Sequence, residues 1–252
     1  MISKYKTLLK ENEHATLIVH YSCSSIRKIP CKISCIGIRD EGRNENWIFS
    51  LREFSEKEML EKAWKIIAKN KDKYFVGWNI KNPEYGFAVL KQRYEEILRK
   101  KAPKIRTSHV VDLDEAIKRD FDLKRQKLTL RRVAEINGYQ TLDFRNGKEE
   151  LKLFEERDFK GLELSVGRKI RIIGDILNDF IRGKLKIEPE LERKLWSAKK
   201  IIGSVAYISI CIAIDLILLP AIGVYSIGLI GAEATVLFGL PKLVEWLRNK
   251  PK

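Results

Sequence analysis

The stretch GWNIKNPEYGFAVLKQRY, residues 77–94, decides the fold. It begins at the end of an apolar run, KYFVGWN, that has the composition of a strand. PEYGFAVLKQRYEEILRKKA (83–102) then reads as a helix. Upstream, ATLIVHYSC, CKISCIGIRD and ENWIFSL read as three strands, the first two joined by a short turn containing Pro30. SEKEMLEKAWKIIAKN reads as a helix, with Ser55 as cap and Glu58 three positions on, the capping-box arrangement. Downstream, SHVVDL is a short fifth strand, and Asp114 to about Lys186 is mainly helical with a turn at Asn137-Gly138. Strands followed by alternating helices and strands predict an α/β domain over 14–190, a mixed sheet with helices on both faces, behind a charged lead-in of residues 1–13.

The chain has 252 residues, 44% hydrophobic and 33% charged, which excludes a disordered protein and allows one large domain or a medium one with an appendage. A formal net charge of +15 favours acidic partners: nucleic acid, nucleotides or anionic lipid headgroups. Of the four cysteines, Cys23, Cys31 and Cys35 cluster early and Cys211 lies in an apolar run. Cys31 and Cys35 are four apart, which on a regular strand puts them on one face. No CxxC or HxxxH pair supplies a zinc site, so all four read as reduced, buried small side chains in a cytosolic compartment. The charged start, MISKYKTLLKENEHAT, has no apolar signal-peptide core.

The composition changes near residue 200. From Ile201 to Leu240 the only charged residues are Asp215 and Glu233, and Pro220 divides the run into 201–219 and 221–240. At about 1.5 Å per residue each half spans roughly 30 Å, the thickness of a bilayer's hydrocarbon core. Region 191–252 is therefore expected to be a transmembrane hairpin. Lys and Arg flank both ends and are absent around Pro220, which places both termini in the cytoplasm and makes this a multi-pass cell-membrane protein. The basic tail PKLVEWLRNKPK suits an interfacial helix. Glu233, near the midplane, has the small residues Gly228, Gly231, Ala232 and Thr235 around it, so the second helix is expected to self-associate into a homo-oligomer, with Glu233 at the interface. Asp215 lies close enough to Pro220 to reach the bilayer surface.

The order of elements over 14–186, with the 77–94 stretch, resembles the ribonuclease H-like fold and in particular the DEDD-type 3′–5′ exonucleases. GWNI followed by a helix ending in LKQR carries most of the resemblance; LIVHYSCSSI and SVGRKIRIIGDILNDF match two further landmarks by position. The family hydrolyses phosphodiesters with two divalent ions held by four carboxylates. Here the first pair falls on His20 and Ser22, the second motif offers Glu84 or, in a neighbouring alignment, Tyr85, and the third offers Asp175 with Arg171 a turn earlier. The resemblance thus implies a degenerate site with no cofactor. Glu84 and Asp175 are its vestigial candidates, and Mg²⁺ or Mn²⁺ enters only under the alternative of an active, rearranged, membrane-tethered exonuclease. Trp78, Asn79, Tyr85, Arg93 and Arg171 are the candidate ligand-binding residues. Trp78 and Tyr85 could stack on a base or belong to the core. His20 and Cys23, three apart on a strand, face opposite sides and make no nucleophile–base pair. The basic runs LRKKAPKIR (98–106) and LKRQKLTLRR (123–132) suit phosphates or lipid headgroups. The expected function is a membrane-anchored pseudo-nuclease module that binds nucleic acid, nucleotide or a protein, a layout resembling membrane-disturbing prokaryotic defence effectors.

Overall fold

A strand buried on both faces loses its apolar–polar alternation, and TLIVHYSC has lost it. The computed structural model, which describes residues 4–24, 31–123 and 128–187, places this stretch at the centre of a five-stranded sheet. After helix α1 (Lys4–Glu11) come strands β1 (Thr16–Cys23), β2 (Ile33–Asp40) and β3 (Glu45–Ser50), helix α2 (Glu56–Lys69), β4 (Tyr74–Gly77), α3 (Phe87–Leu98), β5 (Val110–Asp112), then α4 (Leu113–Asp120), α5 (Leu130–Ile136), α6 (Gly147–Glu155) and α7 (Phe159–Arg182). The sheet order is β3-β2-β1-β4-β5. β2 runs antiparallel to β1 and β3, whereas β4 and β5 run parallel to β1. This mixed α/β sheet is consistent with the ribonuclease H-like fold.

Each face of β1 has its own cover. Leu17, Val19 and Tyr21 pack with Met59, Leu60, Ala63, Trp64 and Ile67 of α2 and Leu90 of α3. Ile18, on the other face, packs with Ile170, Ile173 and Leu177 of α7. The capping box forms at α2: Ser55 Oγ accepts from the Glu58 amide at 3.3 Å, and Glu58 Oε2 accepts from the Ser55 amide at 2.9 Å. α7 lies close over β2 because residue 37 is glycine; a Cβ there would stand 2.7 Å from Val166 Cγ1. Gly37 pairs with His20, and Gly174 lies beside Ile18 and Arg39, so α7 runs from the His20 end of β1 back toward its start.

Three expectations change. The helix expected over 83–102 begins only at Phe87 and ends at Leu98. Gly86 and Phe87 donate backwards to the carbonyls of Asn82 (2.6 Å) and Ile80 (2.8 Å), so residues 82–86 form a tight turn, and Arg99, at φ 55°, terminates the helix. Cys31 and Cys35 do not share a face. Ser22 pairs with Cys35 but Cys23 with Ile33, which leaves Ser34 as the extra residue of a β-bulge that reverses the alternation. Cys35 therefore packs with Leu162 and Val166, whereas Ile33 joins the α2 side. Cys23 and Cys31 are free and only partly buried, unlike Cys35.

The expected membrane hairpin, with Asp215, Pro220, Glu233 and Cys211, lies outside the described residues. Among the described residues no helix is long and apolar enough to cross a membrane.

Candidate functional site

β1 outruns its parallel neighbour. Its pairing to β4 ends at Ile18–Val76, so from His20 onward that side of β1 meets the chain leaving β4, residues 78–86. Asp112, the last residue of β5, holds this segment by its backbone. Its Oδ1 accepts from the Asn79 amide at 3.2 Å and its Oδ2 from the Lys81 amide at 3.1 Å. Oδ1 also accepts from the Glu115 amide at 3.4 Å, so one carboxylate caps α4 and fixes the loop. Asn79 takes φ 55°, a left-handed conformation that asparagine tolerates better than most residues.

The fixed loop turns Tyr85 onto β1. Its ring stacks on Tyr21 at 4.7 Å, lies 6.2 Å from the His20 ring, and its hydroxyl donates to the Tyr21 carbonyl. Trp78, Ile80, Tyr85, Val19, His20 and Tyr21 line a cavity of only about 10 Å³, the size of a single water site. Burial pushes the Tyr85 phenol up, with the Glu150 charge adding. Burial lowers His20 well below the usual imidazole range, and the Lys169 ammonium lowers it further, so His20 is neutral at pH 7. His20 Nε2, Tyr21 OH and Ser22 Oγ are buried with no protein hydrogen-bond partner.

The charged α7 residue near enough to act on His20 is Lys169. Its Nζ lies 2.7 Å from Glu150 Oε1, both side chains are 6% exposed, and Ser165 Oγ donates to the same carboxylate oxygen at 2.6 Å. The ammonium also stands 5.2 Å from the Phe144 ring centroid. A cation and its counter-ion, not a pair of free carboxylates, thus occupy the α7 side of the site.

The structure scatters the residues singled out in the sequence. Asp175 lies toward the start of β1. Burial raises its carboxyl, Arg39 opposes, and Glu41 and Asp179 add to the rise. Arg171 lines a separate surface groove of about 320 Å³ with Arg168, Glu163, Asp143 and Glu53. Glu84 is exposed in the 82–86 turn, where its amide donates to Asn82 Oδ1 at 2.8 Å; the next residue, Tyr85, is the one that reaches β1. Arg93 grips Glu56 with two bonds, Nε–Oε1 at 2.8 Å and Nη2–Oε2 at 2.9 Å, while Glu56 Oε1 also accepts from the Ile33 amide at 2.7 Å. It therefore ties α3 to α2 and to the start of β2. Trp78 belongs to the core, 7% exposed among Ile18, Val76 and Ile173. Asn79 is exposed at the loop crest. His20 and Tyr85 are brought together; Asp175, Arg171 and Arg93 are not brought to them. Among the described residues, no group of three or more His, Cys, Asp or Glu side chains is placed to share a metal ion.

Sequence reading missed Asp112 and the Lys169–Glu150 pair. An aspartate closing a strand just before a helix is a capping signal, and a lysine in register with the apolar stripe Val166, Ile170 and Ile173 signals an interior cation.

No family model and no curated protein matches the chain. Among solved structures, the chain is similar to the EXO domain of Nibbler from Aedes aegypti, at 11% identity and a TM-score of 0.34, covering 73% of this chain and 92% of that one. The strand order and strand directions, rather than this similarity, define the architecture.

Proposed function

We propose that the protein is a non-catalytic, exonuclease-like module, tethered to the cytoplasmic face of a membrane through residues 201–240, that works by binding a ligand and not by cleaving it. One observation carries the reading: a buried Lys169–Glu150 pair stands near His20, with Lys169 close enough to lower its basicity. Two-metal phosphodiester hydrolysis needs several clustered hard anionic oxygens. The α7 charge felt at His20 is a cation, Lys169, and the carboxylate beside it is already paired. Glu84 and Asp175 stand apart, which weighs against a rearranged metal site.

A polyanion is the favoured ligand. The net charge is +15, and Arg99, Lys100, Lys101, Lys104 and Arg106 are exposed along 98–106, while Ala102 anchors the segment at 7% exposure. Lysine and arginine density of this kind supports phosphate contacts without sequence readout. The test uses the purified full chain with labelled single-stranded RNA and DNA, with Mg²⁺ or Mn²⁺. Salt-sensitive retention without product formation is expected, weakened by Lys100→Glu/Lys101→Glu/Lys104→Glu. Metal-dependent cleavage lost in Asp175→Ala or Glu84→Ala would overturn the reading.

A further inference from the structure

We propose that Cys23 and Cys31 form a redox pair, a reversible disulfide that crosses the β1–β2 hairpin at the end where β1 leads into β2. The geometry starts from the register. Cys23 pairs with Ile33, and the ladder continues past it: the Ser24 amide donates to the Lys32 carbonyl at 2.8 Å, and the Lys32 amide returns to Ser24 Oγ at 2.9 Å. Residues 31 and 33 lie on the same side of the chain, so Cys31 sits diagonally across from Cys23 on one face. Cys31 Sγ lies 3.5 Å from the Ser24 carbonyl oxygen. The two thiols lie near enough that each perturbs the other's ionisation. Both thiols are free and partly exposed. Cys35, four residues on, is fully buried on the opposite face because of the Ser34 bulge, and so stands outside the pair.

The two sulfurs have different roles. The neighbouring Cys23 thiol favours the Cys31 thiolate, and Ser24 and the nearby Arg93 guanidinium add to this, against the opposing effects of burial and Glu56. The Cys31 neighbour and burial both push the Cys23 thiol up. Cys31, two residues from the Ile33 amide that bonds the Arg93-held Glu56, lies by the guanidinium and is the attacking thiol, and Cys23 is the resolving one. With a low-molecular-weight disulfide as oxidant, the Cys31 thiolate attacks one of its sulfurs and expels the other as a thiolate. Cys23 then loses its proton, attacks the Cys31 sulfur and expels the second thiolate. Two protein thiols are oxidised to one disulfide, and one small disulfide is reduced to two thiols. A pair of this kind suits the reducing compartment expected for the domain, where disulfides are transient and sensing rather than structural. The bond forms beside Tyr21, so its state is felt at the wall of the cavity.

The test equilibrates the reduced full chain with glutathione mixtures from fully reduced to fully oxidised, then alkylates the remaining thiols. Trypsin cleaves after Arg27 and Lys28, which lie between the two cysteines. Without reduction, the expected product is a pair of linked peptides, lighter by two hydrogens than their sum. It should be lost in Cys23→Ser and in Cys31→Ser and retained in Cys35→Ser. In the unsubstituted chain Cys35 should alkylate only after denaturation, which covers the case of a Cys35→Ser chain that fails to fold. The proposal is overturned if Cys23 and Cys31 both alkylate at every glutathione ratio. It is equally overturned if Cys31 stops at the mixed disulfide or pairs between chains.

Discussion

Substituting Lys169 by methionine keeps most of the side chain's volume and removes the ammonium that faces Glu150. Both side chains of the pair are 6% exposed, so water cannot replace the lost partner. Ser165 Oγ continues to donate at 2.6 Å, which leaves the carboxylate with one neutral donor where it had a cation as well. Removing one member of a buried ion pair costs about 3–5 kcal/mol, because the survivor stays charged in a poor solvent. The contact over Phe144 at 5.2 Å is lost too, worth about 1–2 kcal/mol for a desolvated ammonium. For a chain of this size 1 kcal/mol moves Tm by roughly 2–4 °C, so Lys169→Met should melt on the order of 10 °C lower. The assay is thermal and urea unfolding of the full chain in detergent, followed by circular dichroism. The double variant Lys169→Met/Glu150→Gln carries the decisive comparison. It removes both charges yet keeps an acceptor for Ser165, and should recover most of the loss. A single variant within about 1 kcal/mol of the parent, or a double variant less stable than the single, would refute the view that this pair is buried and mutually dependent.

His20 has its pKa depressed by burial and by Lys169, so the unfolded chain takes up the proton first as pH falls. Stability should be flat above about pH 6.5 and decline below it by up to about 1.4 kcal/mol per pH unit until the folded pKa is reached, a slope that His20→Gln removes in urea titrations between roughly pH 5 and 7. Asp112→Ala strips acceptors from the amides of Asn79, Lys81 and Glu115 and should cost about 2 kcal/mol or more, with faster hydrogen exchange at 79–81 as the specific readout. Ser55→Ala opens the α2 capping box for about 1 kcal/mol, visible as a lower urea midpoint at unchanged m-value.

Strand content was legible because the sheet's centre is apolar on both sides and its ends are punctuated. The α2 boundary was legible because Ser55 and Glu58 state it chemically. The start of α3 was not. Pro83 suits a first helical turn, but the Ile80 and Asn82 carbonyls capture the Gly86 and Phe87 amides, and that competition belongs to tertiary geometry. The Ser34 bulge left no mark in composition, so the opposed faces of Cys31 and Cys35 were invisible from their spacing. The third exonuclease-like landmark was placed at Asp175 because a carboxylate was sought there. A helix of 24 residues presents several turns with the same apolar stripe, and only the packing of Val166 and Ile170 on Gly37, the partner of His20, shows that the turn around Lys169 lies at this end of β1. Arg93 looked like a ligand contact because its pairing with Glu56 spans 37 positions in sequence.

The position of α7 in the chain has a consequence for biosynthesis. β1, β2 and β3 are consecutive and can pair as soon as Ser50 is made, and α2 follows at once to cover one face. The cover for the other face ends at Arg182, roughly 130 residues later. At translation rates of about 5–20 residues per second, the nascent meander keeps Ile18 and Cys35 uncovered for on the order of ten seconds. An early, half-clothed sheet of this kind is a substrate for chaperones. Chains truncated before Phe159 should bind a hydrophobic dye that chains extending past Arg182 exclude; equal dye binding by the two would show that the meander does not wait for its last helix.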